Sequence, residues 1–240
     1  MSFPLTHLCV AQKVLFFLNE KNEKNISQFL LGSIAPDAIH YREEFLGAQM
    51  KNIGAAKKIT HLCPVSEEKW GQVTDNDGWV ECVKNFLNEK NFEKNNFCEE
   101  DSQEKKFFAL GYAAHVLTDI SNNKTLWKNF REKFPAEAAK GYASDYYADL
   151  RNIDTRLYKN FPGITEILRA LEKSVPEEID GLVSADEVLA IKNNLLYEHY
   201  KKISVQRENF PATEKYFFVS YDETIEFIEN SATWISEVLA

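Results

Sequence analysis

Glycine and proline are scarce in this chain, with nine and seven among 240 residues. That is too few for a sandwich of many short strands, whose turns consume both residue types. Strand-type alternation is also scarce, whereas Leu, Ala, Glu, Lys and Phe recur at spacings of three and four. No segment is rich enough in Pro, Gly or Ser to be an interdomain linker. We therefore predict an all-α protein, with residues 1–240 forming a single multi-helix domain.

An excess of positive charge is missing as well, since the net charge is −9 and the pI is about 5.2. A basic face is what a nucleic-acid groove or a site for anionic membranes requires, so the composition argues against both. A small or zwitterionic phosphate substrate stays compatible with it, because metal ions could supply the local positive charge.

Long apolar runs are absent too. No stretch approaches the roughly 20 apolar residues that span a bilayer, and Met1–Pro4 leads into an amphipathic helix without the pattern of a secretion signal. The cysteines show no CxxC spacing. We therefore expect a cytoplasmic protein whose cysteines are reduced thiols: Cys9, Cys63, Cys82 and Cys98.

The apolar periodicity predicts a series of helices along the chain. A Ser184–Glu187 capping box is expected to open one of them. The predicted ranges are about 4–19, 26–31, 79–91, 107–119, 127–134, 136–158, 164–173, 185–200 and 221–239.

Residues 107–119 read as a buried helix that carries two polar side chains, His115 and Asp119. Positions i and i+4 lie on one helical face, so an imidazole nitrogen and a carboxylate oxygen there could bind one cation. The alternative is a core histidine hydrogen-bonded to the aspartate.

Three further polar residues lie among apolar neighbours in the first half of the chain. His7 and His61 each occupy a Thr-His-Leu triplet, and Asp37 follows Pro36 between apolar residues. A carboxylate in such a setting needs a partner or a cation, unless it caps a helix. Imidazole and carboxylate ligands drawn from separate segments are typical of a zinc site. The candidate metal ligands are His7, Asp37, His61, His115 and Asp119.

Two acids further along, Asp145 and Asp149, have the same i,i+4 spacing beside an apolar stripe that begins at Tyr142. Either they lie on a solvated face with Arg151 and Arg156 as partners, or they supply additional oxygen ligands to the metal site.

The order of these motifs resembles the zinc-dependent phospholipase C family, which is related to P1-type nucleases. The resemblance rests on Thr-His-Leu, then Leu-Leu-Gly-Ser-Ile-Ala-Pro-Asp-Ala, a second Thr-His-Leu and Leu-Gly-Tyr-Ala-Ala-His-Val-Leu-Thr-Asp. It covers residues 3–125 by motif and extends loosely to about 160, with 161–240 as a helical elaboration. It implies an all-α fold with up to three zinc ions that hydrolyses phosphate esters.

The resemblance also implies roles for the five residues. Asp37, His61, His115 and Asp119 would hold one zinc, and His7 would hold a second with Asp119 as the bridge. Asp37 matches an aspartate proposed as the general base.

The chain departs from secreted members of that family at two places. It has no tryptophan before Trp70 where they use a processed N-terminal tryptophan, and after Asp119 it has only His199 where they supply two histidines and a glutamate. We expect a zinc-dependent phosphodiesterase or phosphomonoesterase acting on a small phosphoester or phospholipid head group. The alternative is a non-catalytic helical binding protein that retains a structural or vestigial metal site.

Overall fold

The computed structural model describes residues 4–45, 53–64, 71–89, 99–199 and 216–240, with side chains omitted at 99–102 and 199. Within these ranges all the regular secondary structure is helical. The only β-type pairing there is an isolated bridge between Ile179 and Val183. The predicted all-α class is confirmed. No helix in the described ranges is long and apolar enough to cross a membrane.

The α-helices are numbered here in chain order. They are α1 Pro4–Phe17, α2 Glu23–Gly32, α3 Ile53–Thr60, α4 Asn76–Glu89, α5 Glu99–Lys124, α6 Leu126–Lys133, α7 Pro135–Ala138, α8 Asp145–Asn160, α9 Ile164–Lys173, α10 Ala185–Asn193 and α11 Tyr221–Leu239. Short 3₁₀ helices cover Ala35–Tyr41, Glu43–Phe45 and Gly141–Ala143, and a π-helical turn, Asn194–His199, follows α10.

Local sequence signals set several of these bounds. α9 and α11 begin and end where the apolar periodicity predicts. The predicted capping box opens α10, with Ser184 accepting from the Glu187 backbone N–H and the Glu187 carboxylate accepting from Ser184.

The single helix predicted over 136–158 is wrong. The chain leaves α7 at Ala138, turns through Gly141 at a φ of +55°, and starts again at α8 with Ser144 as its cap. A positive φ interrupts a right-handed helix, and glycine adopts it without strain. Tyr142, expected on the apolar stripe, is exposed as a result.

Helix α5 is the central element, and it lies against α1, α2, α4 and α11. Its approach to α2 depends on two glycines. A Cβ at Gly111 would lie 2.0 Å from the Phe29 carbonyl oxygen, and one at Gly32 would lie 2.0 Å from that of Phe108. This close contact brings the end of α2 against the stretch of α5 that carries His115.

The acids of α8 hold other segments in place. Asp149 is buried and accepts hydrogen bonds from the backbone N–H groups of Phe217, Phe218 and Val219, at 2.7 to 3.1 Å. Asp154, also buried, accepts one from Leu5 N at 3.1 Å. Asp145 is exposed. Asp149 therefore lies neither on a solvated face nor in a metal site, which are the two alternatives that its spacing left open.

Among the described residues, Cys9, Cys63 and Cys82 form no disulfide with one another. Cys98 lies outside the described residues.

Candidate metal centre

Four segments bring the five candidate ligands together. His7 comes from the first turn of α1, Asp37 from the 3₁₀ helix after Pro36, and His61 from the residue directly after α3. His115 and Asp119 lie one turn apart on α5. Four of the five are almost fully buried, and Asp37, whose side chain is 20% exposed, is the one that reaches solvent.

The metal-ligating atoms of these residues face one another. His61 Nε2 lies 3.3 Å from His115 Nε2, 3.5 Å from Asp37 Oδ1 and 3.7 Å from Asp119 Oδ2. His7 Nε2 lies 3.6 Å from Asp119 Oδ1. Two overlapping triads, His7–Asp37–His115 and His61–His115–Asp119, each have their ligand atoms within 4.8 Å of one another.

Hydrogen bonds on the outer ring nitrogens assign the tautomers of two of the histidines. His115 Nδ1 lies 2.8 Å from the Ser33 carbonyl oxygen, which can only accept, so this nitrogen carries the proton. Thr60 Oγ1 donates to the Lys57 carbonyl and lies 3.0 Å from His61 Nδ1, so we assign it as the acceptor of that N–H. Both inner Nε2 atoms then present lone pairs, as metal-ligating histidines do.

The backbone around His61 is held from two sides. Trp79 Nε1 donates to the His61 carbonyl at 2.7 Å, and the Tyr112 hydroxyl donates to the Thr60 carbonyl. Leu62 then takes a φ of +52°, which ends the helical path directly after the histidine. The ring of His61 is thereby directed at α5.

The residues fit a cation. With the tautomers assigned above, two imidazole lone pairs and two carboxylates converge, an arrangement that is unfavourable unless a positive charge lies among them. Asp119 Oδ1 and His7 Nδ1 are buried without a hydrogen-bond partner, although buried polar atoms normally have one. Imidazole with carboxylate is a donor set that suits zinc.

The protonation states agree with this interpretation. Burial lowers the pKa of His7 and holds that of His115 well below its ordinary value. Burial raises the pKa of Asp37, but the Lys57 ammonium and His61 outweigh this effect and hold it well below its usual range. Burial likewise raises the pKa of Asp119, but His7, the chain's N-terminal amine and the other two histidines together lower it by more. Neutral imidazoles and ionised carboxylates are the forms that bind metal.

The sequence did not single out Lys57, which belongs to the site. This lysine is only 5% exposed, and its Nζ lies 2.7 Å from Asp37 Oδ1. Burial lowers its pKa, but Asp37 raises it further, so the group stays charged. The signal in the sequence that could have identified Lys57 is its position four residues before His61.

His40, which is not one of the five candidate ligands, is also close to the centre. Its Nε2 is 3.7 Å from Asp37 Oδ1, and burial lowers its pKa to about 4.

A small cavity of about 20 Å³ adjoins Asp119. Its walls are largely aromatic, with Trp79, Trp127 and Tyr147 around the acid.

Ligands beyond the five are not found in the part of the chain that the structure describes. Asp145 is exposed, Asp149 is occupied by backbone N–H groups, and the side chain of His199 lies outside the described residues. Within that part, the two overlapping triads are the groups of side chains placed to hold a metal.

Comparison with known proteins gives one match. Residues 6–121 match the model of a family described as zinc dependent phospholipase C, and this range includes all five residues. No curated protein and no solved structure matches the chain.

Proposed function

Because residues 6–121 match the model of the zinc-dependent phospholipase C family, we propose that the converging histidines and aspartates form a zinc centre that hydrolyses phosphate esters. The observation that supports this most directly is the convergence of His61 Nε2 and His115 Nε2 with the carboxylates of Asp37 and Asp119, together with a buried Asp119 Oδ1 that has no hydrogen-bond partner.

The four residues nearest one another, Asp37, His61, His115 and Asp119, would hold the ion. His7 faces the free oxygen of Asp119 from the other side. When bound, zinc supplies Lewis-acid chemistry, because it neutralises negative charge on phosphate oxygens and makes water more acidic.

Asp37 is the residue suited to handle water. Its carboxylate is ionised, and it is the one partly exposed member of the five. An oxygen of Asp37 would accept a hydrogen bond from the attacking water, orient it towards phosphorus and receive its proton. The ammonium of Lys57 keeps Asp37 Oδ1 in place during this step.

The substrate class follows from charge and access. With a net charge of −9, the chain is poorly suited to a polyanion, whereas a small phosphodiester, a phosphomonoester or a phospholipid head group presents one phosphate to the centre.

A second candidate function is a helical binding protein with a structural metal. The observation that favours it is that the described residues after Asp119 add no ligand to the two triads, and that Asp149 binds backbone instead.

Hydrolysis by the zinc-loaded protein tests the proposal. Bis(p-nitrophenyl) phosphate, p-nitrophenyl phosphate and a short-chain phosphatidylcholine cover the three substrate classes. Asp119→Asn should lose bound zinc and reduce the rate at least about 100-fold, since it removes a ligand charge at the centre. Asp149→Asn, a buried aspartate outside the centre, serves as the matched control and should retain both.

The outcomes separate the two functions. Zinc bound without hydrolysis of any of the three substrates would favour the structural-metal protein. Full hydrolysis by Asp119→Asn would refute the proposed centre.

A further inference from the structure

We propose that this centre holds a single divalent ion, and that the buried ammonium of Lys57, paired with Asp37, acts as its second positive group. The inference rests on the proposed zinc centre and specifies its metal content.

The first argument comes from His115, which both triads share. Its Nδ1 carries a proton donated to the Ser33 carbonyl, so only Nε2 remains to bind a metal. One imidazole nitrogen binds one ion, and the two triads therefore cannot each be filled at the same time. In the proposed centre Asp37, His61, His115 and Asp119 hold the ion, so a second ion would find only His7 and the other Asp119 oxygen, which are fewer protein ligands than a zinc site uses.

The second argument comes from how Lys57 is placed. It lies one helical turn before His61, and the backbone bond from His61 N to the Lys57 carbonyl, at 2.8 Å, fixes both on the same face of α3. The Lys57 ammonium contacts Asp37 Oδ1, the oxygen that also faces His61 Nε2 at 3.5 Å. An ammonium and a metal thus compete for one oxygen atom.

Charge gives the third argument. Lysine is rarely buried, and taking its charge out of water is costly unless it is paired. Counted as formal charges, two carboxylates and one ammonium sum to −1 at this centre. One divalent ion brings the sum to +1, whereas two would bring it to +3 in a nearly solvent-free site. The ammonium of Lys57 therefore supplies positive charge that a second metal ion would otherwise supply.

Metal content of the wild-type protein is the primary test. The full-length protein is dialysed against buffered micromolar zinc and its zinc is measured by mass spectrometry, and a cobalt(II) titration followed by visible absorption gives an independent equivalence point. We expect one ion per chain in both. Two or more ions would overturn this inference while leaving the zinc centre intact, and no bound ion would overturn the zinc centre itself.

Lysine variants test the role of the ammonium. Lys57→Gln retains an N–H donor for Asp37 but removes the charge, and Lys57→Met removes both. Each should bind the first zinc at least about tenfold more tightly in competition with a fluorescent chelator, because a repelling charge is gone. Lys57→Arg keeps the charge and should stay close to wild type, as should the neighbouring control Lys58→Met.

A purely structural role for Lys57 predicts the opposite sign. If folded Lys57→Gln or Lys57→Met binds zinc with equal or weaker affinity than wild type, the role assigned to the ammonium is wrong. If neither neutral variant folds, the zinc contents of Lys57→Arg and of the wild type test the inference. One ion per chain in both proteins supports it, and more than one in either protein refutes it.

Discussion

The imidazole ring of His7 lies flat on that of His115, with ring centroids 3.8 Å apart and planes inclined by 6°. This stack joins the first turn of α1 to the middle of α5 and closes one side of the centre. Two protonated rings would repel at this separation, and burial lowers the pKa of both. The stack therefore belongs to the neutral, metal-binding state of the histidines.

Removal of the metal is expected to destabilise the protein. The metal-free centre retains a buried, unpartnered Asp119 oxygen, and an ion that binds only the folded state adds about 2.7 kcal/mol when free zinc is 100 times its Kd. For a chain of this size that corresponds to a fall in Tm of roughly 5–10 °C on chelation. Thermal unfolding with and without EDTA measures it, and restoration by added zinc but not by magnesium is the control. If EDTA leaves the Tm unchanged, the proposal that a bound metal stabilises the folded state is contradicted.

Thr60 is expected to tune the affinity of His61 for the metal. Its hydroxyl fixes the tautomer of the ring, 3.0 Å from Nδ1, and loss of such a partner typically costs 10–100-fold in metal affinity. Thr60→Val should therefore weaken zinc binding by roughly that factor in a chelator competition. Thr224→Val, which removes another buried hydroxyl far along the chain, should leave zinc affinity unchanged. Equal affinity in both variants would contradict the tautomer assigned to His61.

Asp149 is expected to matter for stability rather than for metal. Three backbone N–H groups donate to its carboxylate, so Asp149→Asn should lower the free energy of unfolding by about 1.5–3 kcal/mol. Urea denaturation measures this change, and the exposed Asp145→Asn provides a control with little effect. Zinc content should match wild type in both variants. A loss of zinc at unchanged stability would return Asp149 to the list of possible ligands.

The sequence predicted the helical class, the bounds of α9 and α11, and the five residues that meet at the centre. These features depend on local signals: apolar periodicity, a capping box, and polar residues set among apolar neighbours. The structure brings the five side chains together, and their role as ligands remains the hypothesis that the variants above examine.

What the sequence did not predict depends on contacts between distant segments. Lys57 lies in a polar stretch, and only the contact with Asp37, 20 residues away, shows it to be buried. Asp149 looks like part of a solvated helix face until residues 217–219 close over it. The break before α8 follows from the positive φ of Gly141, which a helical pattern of side chains does not report.

The glycine contact between α2 and α5 is expected to control both stability and metal affinity. On helix propensity alone, Gly111→Ala should stabilise α5 by up to about 1 kcal/mol. The new Cβ would instead lie 2.0 Å from the Phe29 carbonyl oxygen, a backbone atom that can move only by displacing α2. We expect a net destabilisation of about 1–3 kcal/mol. Because the same displacement would lengthen the hydrogen bond from His115 Nδ1 to the Ser33 carbonyl, zinc affinity should fall as well.

Gly78→Ala, whose Cβ would meet the Asp75 side chain, is the matched control and should preserve zinc affinity. Urea denaturation of both variants measures their stability, and competition with a chelator measures their zinc affinity. A Gly111→Ala protein as stable as wild type would show that α2 can move away from α5 without loss of stability.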